Sequence, residues 1–151
     1  MSAPAPALTI RGLQVTGVEV PMTHELGTSR ARVTSAPLLL IDLLTEEGVT
    51  GRAYLFCYLR AAVPAIAKII EEVERAVKGD PVAPLDLRRK LATRFALIGV
   101  QGLVRMAMAG LDIAAWDALA IAAGLPSPSL RERRNLFDGH GTWRHATTSL
   151  S

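Results

Sequence analysis

Two carboxylates, Asp112 and Asp117, lie five residues apart in the run AGLDIAAWDAL and are the first candidates for chemistry. On a 3.6-residue helix that spacing turns them about 140° away from each other, a poor arrangement for one metal ion. Hydrogen bonding to backbone or to a cation suits each of them better. His24 and Glu25 have the residue types of an acid–base pair, but a working pair must converge, and neighbours in a loop need not. His140 and His145 lack a third ligand at metal-site spacing. Cys57, between Phe56 and Tyr58, reads as a small buried hydrophobe, and as the sole cysteine it forms no internal disulfide. Arg30 and Arg32 have the chemistry to meet an anion, or to sit solvated. Gly27 and Gly99 belong to no phosphate-cradling pattern. None of these patterns by itself specifies a catalytic set or a metal site.

The elements that would position these residues follow from periodicity. Residues 1–7, with alternating alanine and proline, read as a flexible lead-in. Ile10, Leu13, Val15, Val18 and Val20 then mark a strand, ended by Pro21. Residues 22–36 are rich in Thr, Ser, Arg and Gly and predict an irregular loop, of a length usually reserved for lids or disorder. Residues 38–44 and 49–58, joined by Glu46-Glu47-Gly48, predict a hairpin. By periodicity alone residues 38–44 fit a short helix equally; brevity and the turn favour a strand. Val63, Ile66, Ile70, Val73 and Val77 then stripe one face of a helix stopped by Gly79-Asp80-Pro81. A second helix covers about residues 86–95 and buries Leu87, Leu91 and Phe95. A third runs over about residues 101–123 to a Gly124 cap, with Leu103, Met106, Gly110, Ala114 and Asp117 on one side. The fold class is α+β: a three-stranded antiparallel meander followed by a helical bundle.

Four blocks then carry a resemblance: VPMTHELGTS, APLLLIDL, GVTGRAYLFCY and GLVRMAMAGLDIAAWDAL. In this order and spacing they resemble the N-terminal capping domain of the enolase superfamily, in its mandelate racemase/muconate lactonizing branch and nearest to the mandelate racemases. The likeness covers residues 10–126 and makes residues 8–126 the capping domain. It implies a magnesium-dependent parent enzyme that removes the proton alpha to a hydroxy-acid carboxylate, giving racemisation or dehydration. In that family the metal ligands and the Lys and His bases stand on a (β/α)₈ barrel that follows the capping domain, and none of those positions exists in this chain. The cofactor expectation is none here and magnesium in the full-length family.

The resemblance further implies that residues 21–37 and 56–59 close the barrel mouth. Leu26, Thr28, Arg30, Val33 and Tyr58 would then face substrate. Arg30 departs from the apolar residue of the mandelate racemases, and a guanidinium favours a second carboxylate or a polyhydroxy acid. Ile121 stands where a basic or amide residue is customary. After Pro126 both the likeness and any periodicity stop, so residues 127–151 read as an irregular tail from a frameshift or a truncated gene.

Composition bounds the rest. The 151 residues are half apolar and about a fifth charged, with a net charge of +3, ordinary for a globular domain. No basic stripe alternates with stacking aromatics, which argues against nucleic acid. No signal-peptide pattern and no spanning apolar run argue for a cytoplasmic chain without a membrane partner. The expected function is a capping domain inactive alone, with a barrel domain or a homologous subunit as partner. The alternative is a stand-alone interaction module that docks on a barrel partner or self-associates.

Overall fold

The computed structural model describes residues 7–30 and 32–125; the expected tail at 127–151 and nearly all of the lead-in lie outside them. Three strands come first, β1 (Ile10–Gly27), β2 (Arg32–Thr45) and β3 (Thr50–Phe56), then three helices, α1 (Ala62–Val77), α2 (Pro84–Arg94) and α3 (Leu103–Ala122). The sheet is antiparallel in the order β1-β2-β3, so β2 is central and both neighbours are edges. This is the α+β meander-then-helices fold expected from the sequence. No helix among the described residues is long and apolar enough to cross a membrane.

The central strand explains its own ambiguous pattern. Leu39, Ile41 and Leu43 point to the helices, while Leu38 and Leu40 point to the opposite face. Both sets are buried, so no polar residue interrupts LLLI. The second face gathers Val18, Ala36, Leu38 and Leu40 with Val20, Met22 and Phe56, all from strands. The β2–β3 turn closes on Thr45, whose hydroxyl donates to the Val49 carbonyl at 2.8 Å and accepts from its N–H at 2.9 Å. Gly48 takes the φ of +81° that this turn needs.

The helices bury the faces that their periodicity assigns. Val63, Ile66, Ile70, Val73 and Val77 of α1 are all buried, as are Leu87, Leu91 and Phe95 at α2. The segment after α1 returns to the sheet: Ile10 N–H donates to the Asp80 carbonyl at 2.9 Å, and Val82 N–H to that of Leu8 at 2.8 Å.

Two expectations need correction. Residues 22–36 are not an irregular loop: β1 runs on through Pro21 to Gly27, and β2 begins at Arg32. Proline is tolerated because β1 is an edge strand. The alternation fails there because this part of the hairpin is largely exposed on both faces, so burial imposes no period of two. The register does slip, with five steps along β1 from Pro21 to Leu26 against two along β2 from Ser35 to Val33. The second correction concerns α3. Gly110, Ala114 and Asp117 are buried as expected, together with Val104, Ala107, Leu111, Ala115 and Ala118, but Leu103 is exposed and Met106 only partly buried. The helix turns its smallest residues to the sheet because the approach is close: a Cβ on Gly51 would lie 2.0 Å from the Ala114 carbonyl oxygen.

Candidate functional site at one rim of the sheet

The antiparallel register puts the C-terminal end of β1, the N-terminal end of β2 and the C-terminal end of β3 together. Val18 faces Leu38, and Leu38 faces Phe56. Past that line the β1–β2 hairpin projects alone, and the chain leaving β3 turns through residues 57–61 into α1.

Of the five expected substrate-facing residues, four lie on the hairpin. Leu26 and Val33 are direct cross-strand partners, Leu26 exposed and Val33 half-buried. Thr28 and Arg30 form the tip, where the Arg30 N–H donates to Thr28 Oγ1 at 3.3 Å. Arg32 pairs across the hairpin with Glu25 at 3.2 Å, an exposed ion pair worth less than about 1 kcal/mol. In the same stretch the Glu25 carboxylate is taken up by Arg32.

Tyr58 stands apart from the tip, just after β3, and is 64% exposed. Its φ is +62°, the only positive value on a non-glycine among the described residues. The Leu59 N–H donates to the Cys57 carbonyl at 2.7 Å around it, which makes Tyr58 the centre of the strained, positive-φ form of the γ-turn. Such a conformation costs about 1–3 kcal/mol and is typical of functional segments. The Phe56 ring meets it edge-on, with centroids 4.7 Å apart. Cys57 is buried, as its sequence context implied, and burial pushes its thiol pKa up, so it stays an inert thiol.

Sequence reasoning misses the group that joins these segments. Glu19 on β1 accepts from Ser35 Oγ on β2 and from the Arg60 guanidinium beyond Tyr58. The Ser35 hydrogen bond, then Arg60, hold its carboxyl below the usual carboxylate range. Glu19 and Arg60 are 41 residues apart, and no local pattern connects them.

The rim offers a guanidinium, a hydroxyl and a phenol beside two apolar side chains. Two further carboxylates lie away from it. Asp117 is buried, and its Oδ2 accepts the Arg52 backbone N–H at 2.8 Å, the backbone role foreseen for it. Asp112 lines a cleft of about 170 Å³ between α2 and α3, together with Arg88, Arg105 and Met108. Among the described residues no three His, Cys, Asp or Glu side chains converge as a metal site.

Residues 11–130 match the family model of the mandelate racemase / muconate lactonizing enzyme N-terminal domain. Among solved structures, an enolase of Bradyrhizobium complexed with magnesium and mandelic acid is 39% identical, with a TM-score of 0.76 over 84% of this chain and 35% of its own. An enolase of the alphaproteobacterium bal199, with bound magnesium, is 35% identical, with a TM-score of 0.75 over 82% of this chain and 34% of its own. L-Talarate dehydratase from Polaromonas sp. JS666, complexed with magnesium and L-glucarate, is 24% identical at a TM-score of 0.63, over 78% of this chain and 30% of its own, and shares the fold. The chain thus spans about a third of the length of the relatives it matches.

Proposed function

This chain belongs to the mandelate racemase / muconate lactonizing enzyme family, whose N-terminal domain it carries, and we propose that it works as the cap of an active site rather than as its catalytic centre. The observation that carries the reading is the rim itself: two segments of different strands, bearing Leu26, Thr28, Arg30, Val33 and Tyr58, project from one end of the sheet. Such segments exclude water and shape a pocket over chemistry performed elsewhere. The reaction assigned to the whole enzyme is magnesium-assisted removal of the α-proton of a hydroxy-acid carboxylate, ending in racemisation or dehydration. The metal ligands and bases would stand on a barrel domain, so that the capping domain by itself is inactive. Magnesium in the two relatives more than 30% identical supports the metal, and mandelic acid in one of them supports the substrate class.

Within the class, Arg30 points to a diacid or polyhydroxy acid. A planar guanidinium at the tip meets a second carboxylate in a bidentate way that an aromatic ring cannot use.

The second reading, an interaction module docking on a barrel partner or on another copy, is favoured by the exposed Leu97, Ile98, Ile113 and Trp116. A cap must bury such side chains against its barrel too, so the first reading already accounts for them. Fusing residues 8–126 to the barrel of the Bradyrhizobium enolase separates the two. A cap yields magnesium-dependent exchange of the α-proton of 2-hydroxy acids in the fusion and none from the chain alone. An interaction module yields no exchange in either, and a defined oligomer by mass.

A further inference from the structure

Tyr58 sits between two anchors. On one side, Cys57 is buried and its N–H donates to the Pro37 carbonyl at 2.8 Å. On the other, the Arg60 guanidinium reaches the Glu19 carboxylate. Between them the turn closes with Tyr58 at φ +62°. A bulky side chain holds that conformation only when its surroundings over-determine it. The edge-on contact with Phe56 acts on the ring and cannot set φ, whereas the two flanking anchors fix the backbone on either side.

Glu19 belongs to neither rim segment. It stands on β1 below the hairpin tip, and one oxygen takes Ser35 Oγ from β2 while the other takes Arg60 from the chain beyond β3. Its side chain is only 12% exposed, against 69% for Arg60, so the acid is the fixed half of the pair and the arginine is drawn to it. One carboxylate thus connects β1, β2 and the turn.

Resting on the capping reading above, we propose that Glu19 is a positioning residue: by bridging Ser35 and Arg60 it clamps the turn at Tyr58 in its positive-φ form and fixes that residue relative to the β1–β2 hairpin. The two rim segments are then presented to a substrate as one unit. Glu19 touches no substrate in this scheme; it acts through Arg60.

The test is NMR on the full 151-residue chain. A positive φ shortens the distance between a residue's own amide and α protons, so Tyr58 gives a strong intraresidue cross-peak, accompanied by cross-peaks between the Phe56 and Tyr58 rings. Glu19→Gln and Arg60→Gln each lower the Tyr58 amide–α cross-peak by about half or more, because the freed turn samples other conformations. Arg60→Lys, which keeps the charge, retains it. The Ile41 and Ala114 methyl resonances stay in place in all three, which separates loss of the clamp from loss of the fold. Should Glu19→Gln not fold, Arg60→Gln and Ser35→Ala carry the same readout. A Tyr58 signature at full strength in both Arg60→Gln and whichever acid-side variant folds overturns the proposal, as does an Arg60→Lys variant no better than Arg60→Gln. No barrel and no substrate enter this measurement. The clamp can therefore fail while the capping reading stands, and the fused enzyme can be inactive while the clamp is seen.

Discussion

The backbone N–H of Arg52 donates to Oδ2 of Asp117 at 2.8 Å, joining the edge strand β3 to the C-terminal half of α3 across 65 residues of sequence. Asp117 is 2% exposed, so its carboxylate replaces water for a β3 N–H on the side away from β2, where the described residues place no further strand. Asp117→Ala leaves that donor buried and unpaired and costs about 2–4 kcal/mol; Asp117→Asn keeps an acceptor oxygen and costs about half as much. Urea unfolding of the two variants checks the order. Equal losses contradict the assignment.

The same layer contact ranks two glycines. A Cβ on Gly51 meets the Ala114 carbonyl oxygen at 2.0 Å and the Ala118 backbone nitrogen at 2.8 Å, and backbone cannot step aside. A Cβ on Gly110 meets the Ile41 Cδ1 at 2.4 Å, the far end of a side chain that can rotate. Gly51→Ala is therefore expected to cost about 3 kcal/mol or more, and Gly110→Ala less than about 2 kcal/mol. Thermal melts of both give the comparison.

At position 58 the usual order of residues inverts. Alanine keeps the positive φ and loses the ring, whereas glycine adopts that φ without a Cβ penalty. Tyr58→Gly is expected to be more stable than Tyr58→Ala by about 1 kcal/mol, where an extended site would favour alanine. A denaturant series on the two decides it.

The Glu19 carboxyl titrates below its ordinary value because Ser35 and then Arg60 hold the charged form. A carboxyl depressed in the folded state contributes stability above its unfolded pKa and loses it as pH falls through the folded one. Glu47, through the Thr9 N–H, and Glu71, through Lys68, are lowered as well and act in the same direction. Only the difference between the native chain and Glu19→Gln belongs to Glu19. That gap in urea midpoint should be open at about pH 7 and narrow as pH falls below the ordinary carboxylate range. A gap independent of pH would show that the residue acts through its shape and not its charge.

The legible parts of this molecule are those fixed by burial. The α1 stripe from Val63 to Val77 and the α2 set of Leu87, Leu91 and Phe95 sit inside as their spacing requires, because a 3.6-residue period survives wherever one face meets a core. The hairpin beyond Pro21 was illegible for the converse reason: mostly exposed on both faces, it carries no period, and only Leu26 and Val33 hint at pairing. Helix α3 was half legible, since its existence shows in AGLDIAAWDAL but a run of Ala and Gly does not say which side is inner. The rim residues came from resemblance, and the bond that joins them, Glu19 to Arg60, from neither pattern nor resemblance. Long-range polar contacts leave no periodic trace in sequence.

That the rim chooses the substrate is tested most directly in the fusion of residues 8–126 to the Bradyrhizobium barrel. The quantity is the ratio of kcat/KM for a hydroxy diacid to kcat/KM for mandelate, measured with Arg30 and with Arg30→Leu. A fall in that ratio of about tenfold or more is expected on losing the guanidinium, the worth of one charge-assisted pair in a closed pocket. A ratio unchanged by Arg30→Leu, in a fusion that turns over both acids, would contradict that expectation.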